Sequence, residues 1–240
     1  MSFLQAKWKK LAIANYAVEP DILASYLPYG TELDLWQGKC YVSLVGFMFL
    51  DTRLLGMKIP FHVNFEEVNL RFYVKRREGE SWKRGVVFIK EIVPKWALAF
   101  VANTLYNEHY ETLPMRHEWR ESQASRMVEY RWKKGGSWHR LKVEAALPPT
   151  EIAAGSEAEF ITEHYWGYAR VNDSKTNEYE VTHPKWQQYE VLDFQAELAF
   201  GTVYGKAFEH LNHAAPVSVM LAEGSAITVE RKRVVKAATA

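Results

Sequence analysis

Glu67, Asn69 and Arg71 stand two residues apart in the run Glu67-Val68-Asn69-Leu70-Arg71-Phe72-Tyr73-Val74, which alternates polar with apolar side chains. Side chains two apart on a strand point the same way, so a carboxylate, an amide and a guanidinium share one face. Lining an enclosed pocket, that row could exchange a proton and clamp a carboxylate, with Arg71 binding it bidentately. Facing water, it would be a set of ordinary surface ion pairs. Lys95 follows Pro94 and precedes Trp96 at a strand-to-helix junction. Apolar surface and the positive end of a helix both disfavour an ammonium ion, and a neutral amine can attack a carbonyl to form a Schiff base. The other reading is a lysine that snorkels over Trp96.

Tyr165, Trp166, Tyr168, Tyr179 and Trp186 make a second cluster. If residues 164–171 and 176–183 pair around Asn172-Asp173, alternate rings line one face as an apolar wall with hydroxyl tips, suited to a small organic ligand. The same rings also serve as plain core. His183 precedes Pro184, which biases its backbone toward extended geometry, so its imidazole can enter that space and exchange protons near neutral pH or simply hydrogen-bond in the core. Among the eight histidines, His210 and His213 form one His-x-x-His pair, without the His-Glu-x-x-His arrangement of zincins. No phosphate loop, Gly-x-Ser-x-Gly elbow or dinucleotide fingerprint occurs, so neither a metal nor another cofactor is expected.

These residues need a scaffold, and most of the 240-residue chain reads as strands joined by short turns. Gln37-Gly38, Glu78-Gly79-Glu80, Lys134-Gly135-Gly136, Asn172-Asp173-Ser174 and Glu223-Gly224 each separate runs rich in Val, Ile and aromatic residues, the pattern of hairpins. Helices are expected over Glu19–Leu27, from Pro94 to about Asn107, and over Glu157–Thr162. With 48% hydrophobic and 14% aromatic residues the chain can bury a large core, and no linker or repeat divides it, so one domain spanning 1–240 is expected, its small-residue tail after Lys236 frayed. A net charge of +1 argues against nucleic acid, and the basic runs at Lys7–Lys10, Lys75–Arg77 and Arg231–Arg233 read as solvated faces. The lone Cys40, the absence of a signal-peptide pattern and apolar stretches far too short for a bilayer point to a soluble, cytoplasmic protein with no membrane partner. A homo-oligomer is left open.

Phe65-Glu66-Glu67-Val68, followed after a hairpin by Glu91-Ile92-Val93-Pro94-Lys95 entering a helix, resembles the acetoacetate decarboxylase-like superfamily. The runs 67–74, His164-Tyr165-Trp166-Gly167-Tyr168 and Tyr179-Glu180-Val181-Thr182-His183-Pro184-Lys185-Trp186 are similar to an uncharacterised bacterial branch of it. The resemblance implies a mainly β (α+β) fold of antiparallel sheets in which a closed, cone-shaped barrel encloses a pocket. It implies that Lys95 is the imine-forming nucleophile and Glu67 its catalytic partner. A small carbonyl or carboxylate ligand would be held by Arg71, Trp96, Trp166, Tyr168 and His183. The family's second lysine is replaced here by Trp96, which removes one cation that would lower the Lys95 pKa. Decarboxylation, aldol-type condensation and dehydration are the chemistries implied. The rivals are a noncatalytic small-molecule-binding barrel and a protein-interaction module that uses exposed aromatic residues.

Overall fold

The computed structural model describes residues 2–237; the fraying expected of the tail falls mostly on 238–240, outside them. In chain order the first strands are β1 (Leu4–Val18), β2 (Glu32–Leu33), β3 (Cys40–Leu54), β4 (Phe65–Glu78), β5 (Ser81–Val93), β6 (Tyr110–Thr112), β7 (Met115–Glu121), β8 (Ser125–Lys134) and β9 (Ser137–Ala146). The remainder are β10 (Thr150–Glu151), β11 (Trp166–Asn172), β12 (Lys175–Thr182), β13 (Gln187–Tyr189), β14 (Val191–Glu197), β15 (Ser218–Ala222), β16 (Ala226–Val229) and β17 (Arg233–Lys236). Three short α-helices, α1 (Trp96–Tyr106), α2 (Glu157–Thr162) and α3 (Phe200–Tyr204), interrupt them. The helix expected at 19–27 is a 3-10 segment, Pro20–Tyr26.

Strand pairing starts at β1 and passes through β16, β12, β11, β5, β4 and β3 before returning to β1. Every pairing in this ring is antiparallel except β11 with β5. The turns at Gly79, Gly135-Gly136 and Asn172-Asp173 close hairpins, as their sequences predict. Glu223-Gly224 does not. β15 and β16 both lie antiparallel on the same strand, with Leu11 opposite Ala222 and Lys7 opposite Ala226, so the chain continues along β1 and only bulges between them. Gly224 (φ +75°) takes that bulge across β1, where a Cβ would sit 2.1 Å from the Trp8 carbonyl oxygen.

A second sheet, ordered β14-β9-β8-β7, covers one face of the ring. This is why β3 is apolar on both faces. Val42, Leu44 and Met48 join Tyr130, Trp132 and Val143 of the second sheet in one core. Tyr41, Val45, Phe47 and Phe49 join Phe65, Tyr73, Val93 and Trp186 in the other, inside the ring. Tyr130 and Trp132 are fully buried. At about 200 Å² per ring and about 25 cal/mol per Å², each contributes roughly 5 kcal/mol to seating that sheet, an upper bound set by the extended-chain reference. Cys40 is free and buried, and burial raises its thiol to about 11. No helix among the described residues is long and apolar enough to cross a membrane.

Candidate functional site

The polar row on β4 points inward. Glu67, Asn69 and Arg71 are 2%, 1% and 8% exposed, so the alternation marks an internal polar wall and no wet face. They line a cavity of about 130 Å³ inside the ring, whose other walls are largely apolar, including Trp8, Phe47, Phe88 and Leu98. A cavity of about 150 Å³ holds one benzene, so this one suits a molecule of about that size.

Two further carboxyl groups face the same space. Glu91 on β5 stands opposite Asn69 on β4, on the same face of the sheet. Glu108 arrives after α1, where Asn107 adopts a left-handed conformation (φ 61°) and turns the chain back into β6. Two phenols hold the group together. Tyr110 OH donates to Glu67 Oε2 at 3.2 Å, and Tyr179 OH donates to Glu108 Oε1 at 2.7 Å. Asn69 Nδ2 donates to Glu67 Oε1 at 2.9 Å. Oε2 of Glu91, Oδ1 of Asn69 and Nε of Arg71 are buried and have no partner among the described residues.

Three carboxyls in an apolar cavity cannot all ionise cheaply, because burial penalises each charge and each charge penalises the next. Burial lifts Glu67 to about 7, against the pull of its hydrogen bonds and of the Arg71 charge. Burial and then the Glu67 charge lift Glu108 to about 7. Glu91 is pushed well above the usual carboxylate range by burial, then by Glu108 and Glu67. The phenols of Tyr110 and Tyr179 are driven up by burial and by these carboxylates. Near neutral pH the cluster therefore keeps protons on carboxyls and can give or take one, the property required of a general acid or base. No group of three or more His, Cys, Asp or Glu among the described residues is placed to hold a metal ion.

Of the residues singled out from sequence, Glu67, Arg71, Trp166 and His183 line the cavity. The His183 ring stacks on Trp186 at 4.3 Å, and burial lowers its pKa. Lys95, Trp96 and Tyr168 are not on its wall. Lys95 is the N-cap of α1, and its charge acts on Glu66, which points away from the Glu67 face. Trp96 is 71% exposed. Tyr168 is fully buried and its OH donates to the Lys83 carbonyl at 3.2 Å. It has the opposite strand parity to Gly167, which does line the cavity; Trp166, of the same parity as Tyr168, reaches the cavity from the first position of β11.

Gly167 pairs with Tyr179 across β11 and β12, and a Cβ there would lie 2.1 Å from the phenol ring. The bare glycine is what lets that ring lie across the strand and reach Glu108. Gly167→Ala is expected to destabilise the protein by roughly 1–3 kcal/mol through overpacking and to displace the Tyr179 ring, seen as a lower melting temperature and a perturbed tyrosine spectrum.

Sequence reasoning passed over Glu91, Glu108 and Tyr110. Glu91 shares strand parity with Val93, which joins the core inside the ring, a signal that it faces inward; a bulge at Ile89 reverses the parity before it and puts Ile89 in the other core. Glu108 and Tyr110 gave no such signal, since their place depends on how the chain leaves α1.

The DUF2071 family model, described as an uncharacterised conserved protein, matches residues 5–226. The uncharacterised protein YqjF of Bacillus subtilis (strain 168) is 23% identical over 205 residues, 83% of this chain and 79% of its own. Among solved structures, acetoacetate decarboxylase from Legionella pneumophila superposes with a TM-score of 0.66 at 12% identity, over 97% of this chain and 86% of its own. The enduracididine biosynthesis enzyme MppR, complexed with the condensation product of pyruvate and imidazole 4-carboxaldehyde, gives 0.67 at 11% identity, over 100% and 92%. An acetoacetate decarboxylase-like enzyme from Sphingomonas wittichii RW1 gives 0.64 at 11% identity, over 99% and 94%. Likeness at such identities speaks for the fold: mainly β with few helices, in the acetoacetate decarboxylase-like class that the sequence motifs suggested. With the family model covering nearly the whole chain, this protein belongs to the DUF2071 family.

Proposed function

We propose that the seven-strand ring is a closed cone and that its interior binds a small carbonyl or carboxylate compound, with Arg71 pairing the ligand's negative charge and Glu67 exchanging a proton with it. The observation that carries this reading is the set of three buried carboxyls, Glu67, Glu91 and Glu108, around one buried guanidinium at an apolar cavity. The pyruvate complex of MppR, which shares the fold, supports a ligand of this size. Isothermal titration with pyruvate, acetoacetate and butyrate tests it. Binding of at least one, lost on Arg71→Met, is expected; no binding of any would overturn the reading.

The pH dependence follows from the cluster. An anion entering it makes each carboxylate harder to keep ionised, so above about pH 7 binding must take up a proton from solvent. The affinity is expected to fall up to about tenfold per pH unit above 7 and to level off below it. Titrations in buffers of differing ionisation enthalpy should then report proton uptake near pH 8 and little near pH 5.

The Schiff-base version, in which Lys95 forms an imine leading to decarboxylase or aldolase-type chemistry, needs that amine to turn from the Glu66 side into the cavity. Placement of Lys95 off the wall favours noncovalent binding. Borohydride treatment with pyruvate or acetoacetate, followed by peptide mass spectrometry, is expected to leave Lys95 unmodified. A stoichiometric adduct on Lys95 would restore the imine chemistry.

A further inference from the structure

His164 opens the run of residues 164–168 and sits on the cavity wall, with its side chain only 1% exposed. Its Nε2 lies 3.1 Å from Asp34 Oδ2, and the same oxygen accepts a 2.6 Å hydrogen bond from Arg84 Nε. Burial pushes the Asp34 carboxyl up, but the hydrogen bonds from His164 and Arg84 outweigh it and hold the group below its usual range. Asp34 is therefore a carboxylate, which only accepts, so Nε2 carries the imidazole hydrogen and Nδ1 carries the lone pair. Burial holds the imidazole at about 4, which leaves it neutral near pH 7. Nδ1 is buried and has no partner among the described residues.

Arg71 stands beside it. The guanidinium carbon lies 5.7 Å from the Tyr73 ring centre, and the His164 ring packs on the same tyrosine at 4.8 Å. One terminal nitrogen of Arg71 donates to the Ile161 carbonyl at 3.4 Å, while its Nε is buried without a partner. The wall thus carries a buried, unpaired acceptor beside a cationic donor. A keto acid carries only acceptors: it satisfies Arg71 and sets its carbonyl oxygen against the Nδ1 lone pair. A hydroxy acid satisfies both groups, and leaving a buried acceptor unpaired is unfavourable.

We propose that the cavity selects a small hydroxy acid, whose carboxylate pairs with Arg71 while its hydroxyl donates to Nδ1 of His164, held in the required tautomer by Asp34. This rests on the carboxylate-binding reading above and names the ligand class within it. No bond is made or broken in this recognition.

Three four-carbon acids of matched size, 2-hydroxybutyrate, 2-oxobutyrate and butyrate, test it by isothermal titration against the full chain at pH 7. The expected order puts 2-hydroxybutyrate at least about tenfold tighter than either of the others. In His164→Phe the three should bind within about twofold of one another. In Asp34→Ala, which removes the acceptor that holds the hydrogen on Nε2, the preference for 2-hydroxybutyrate should shrink. Butyrate or 2-oxobutyrate binding the wild type as tightly as 2-hydroxybutyrate would overturn this inference and leave the carboxylate reading standing. Binding of none of the three would overturn both. Should the variants fail to fold, long-range ¹H–¹⁵N spectra of the wild type decide: an unprotonated Nδ1 that shifts on adding 2-hydroxybutyrate is expected, and a protonated Nδ1 refutes the proposal.

Discussion

Arg71→Met should raise the dissociation constant for a small carboxylate by roughly 30- to 5,000-fold, the equivalent of about 2–5 kcal/mol for truncating one partner of a buried charge pair. The cavity supplies little else to hold an anion. Its walls are largely apolar, its carboxyls repel an anion, its phenols are uncharged, and burial biases the imidazoles of His164 and His183 toward the neutral form. Arg71→Lys keeps a charge but loses the planar fork, so an intermediate loss is expected. The effect should be specific to charge: a neutral ligand of similar size, such as butanone, should bind wild type and Arg71→Met within a few-fold of each other. Titration calorimetry near pH 6.5, where the carboxyls are largely protonated, measures both. Equal binding of butyrate by wild type and Arg71→Met would remove Arg71 from the site. The substitution also strips Glu67 of the charge that offsets it, so Glu67 should hold its proton to higher pH in the variant.

How much of this could be read from sequence depends on how local each feature is. Strand parity put Glu67, Asn69 and Arg71 on one face, and the structure agrees. Parity could not say whether that face met water or a cavity, because both produce the same alternation; the answer lies in closure of the ring through the β11–β5 and β16–β12 pairings, contacts between residues far apart in the chain. Pro94-Lys95 correctly marks the entry to α1. Lys95 stands two residues past the end of β5, where parity no longer sets the direction of its side chain. Gly167 sits inside a recognisable motif, yet its purpose appears only when Tyr179 is seen lying across it. Glu108 and Tyr110 are the least legible, for a left-handed residue, Asn107, and a three-residue parallel strand decide where they point.

The carboxyl cluster is a feature the fold keeps against its own stability, and Glu108→Gln should expose that. The folded-state pKa of Glu108 is raised to about 7 from a usual value of 4.5, so between those values the folded protein binds more protons than the unfolded chain. Stability therefore falls as pH rises through this window, reaches its full deficit above about pH 7, and is unaffected by this group below about pH 4.5. A shift from 4.5 to about 7 corresponds to roughly 3 kcal/mol. Glutamine keeps an oxygen to accept from Tyr179 and removes the charge that also lifts Glu91. At pH 8 the variant should melt roughly 6–12 °C above wild type, at about 2–4 °C per kcal/mol for a chain of this size. At pH 4.5 the two should melt within about 2 °C of each other. The comparison is made at each pH against wild type because other groups titrate in the opposite sense. Burial depresses the His164 imidazole to about 4, so its contribution is lost as pH falls, equally in both proteins. A gain in melting temperature that is the same at pH 4.5 and pH 8 would mean that glutamine packs better for reasons unrelated to charge. A loss at pH 8 would mean that the Glu108 carboxylate is held by a compensating cation, and the three carboxyls would then not share protons.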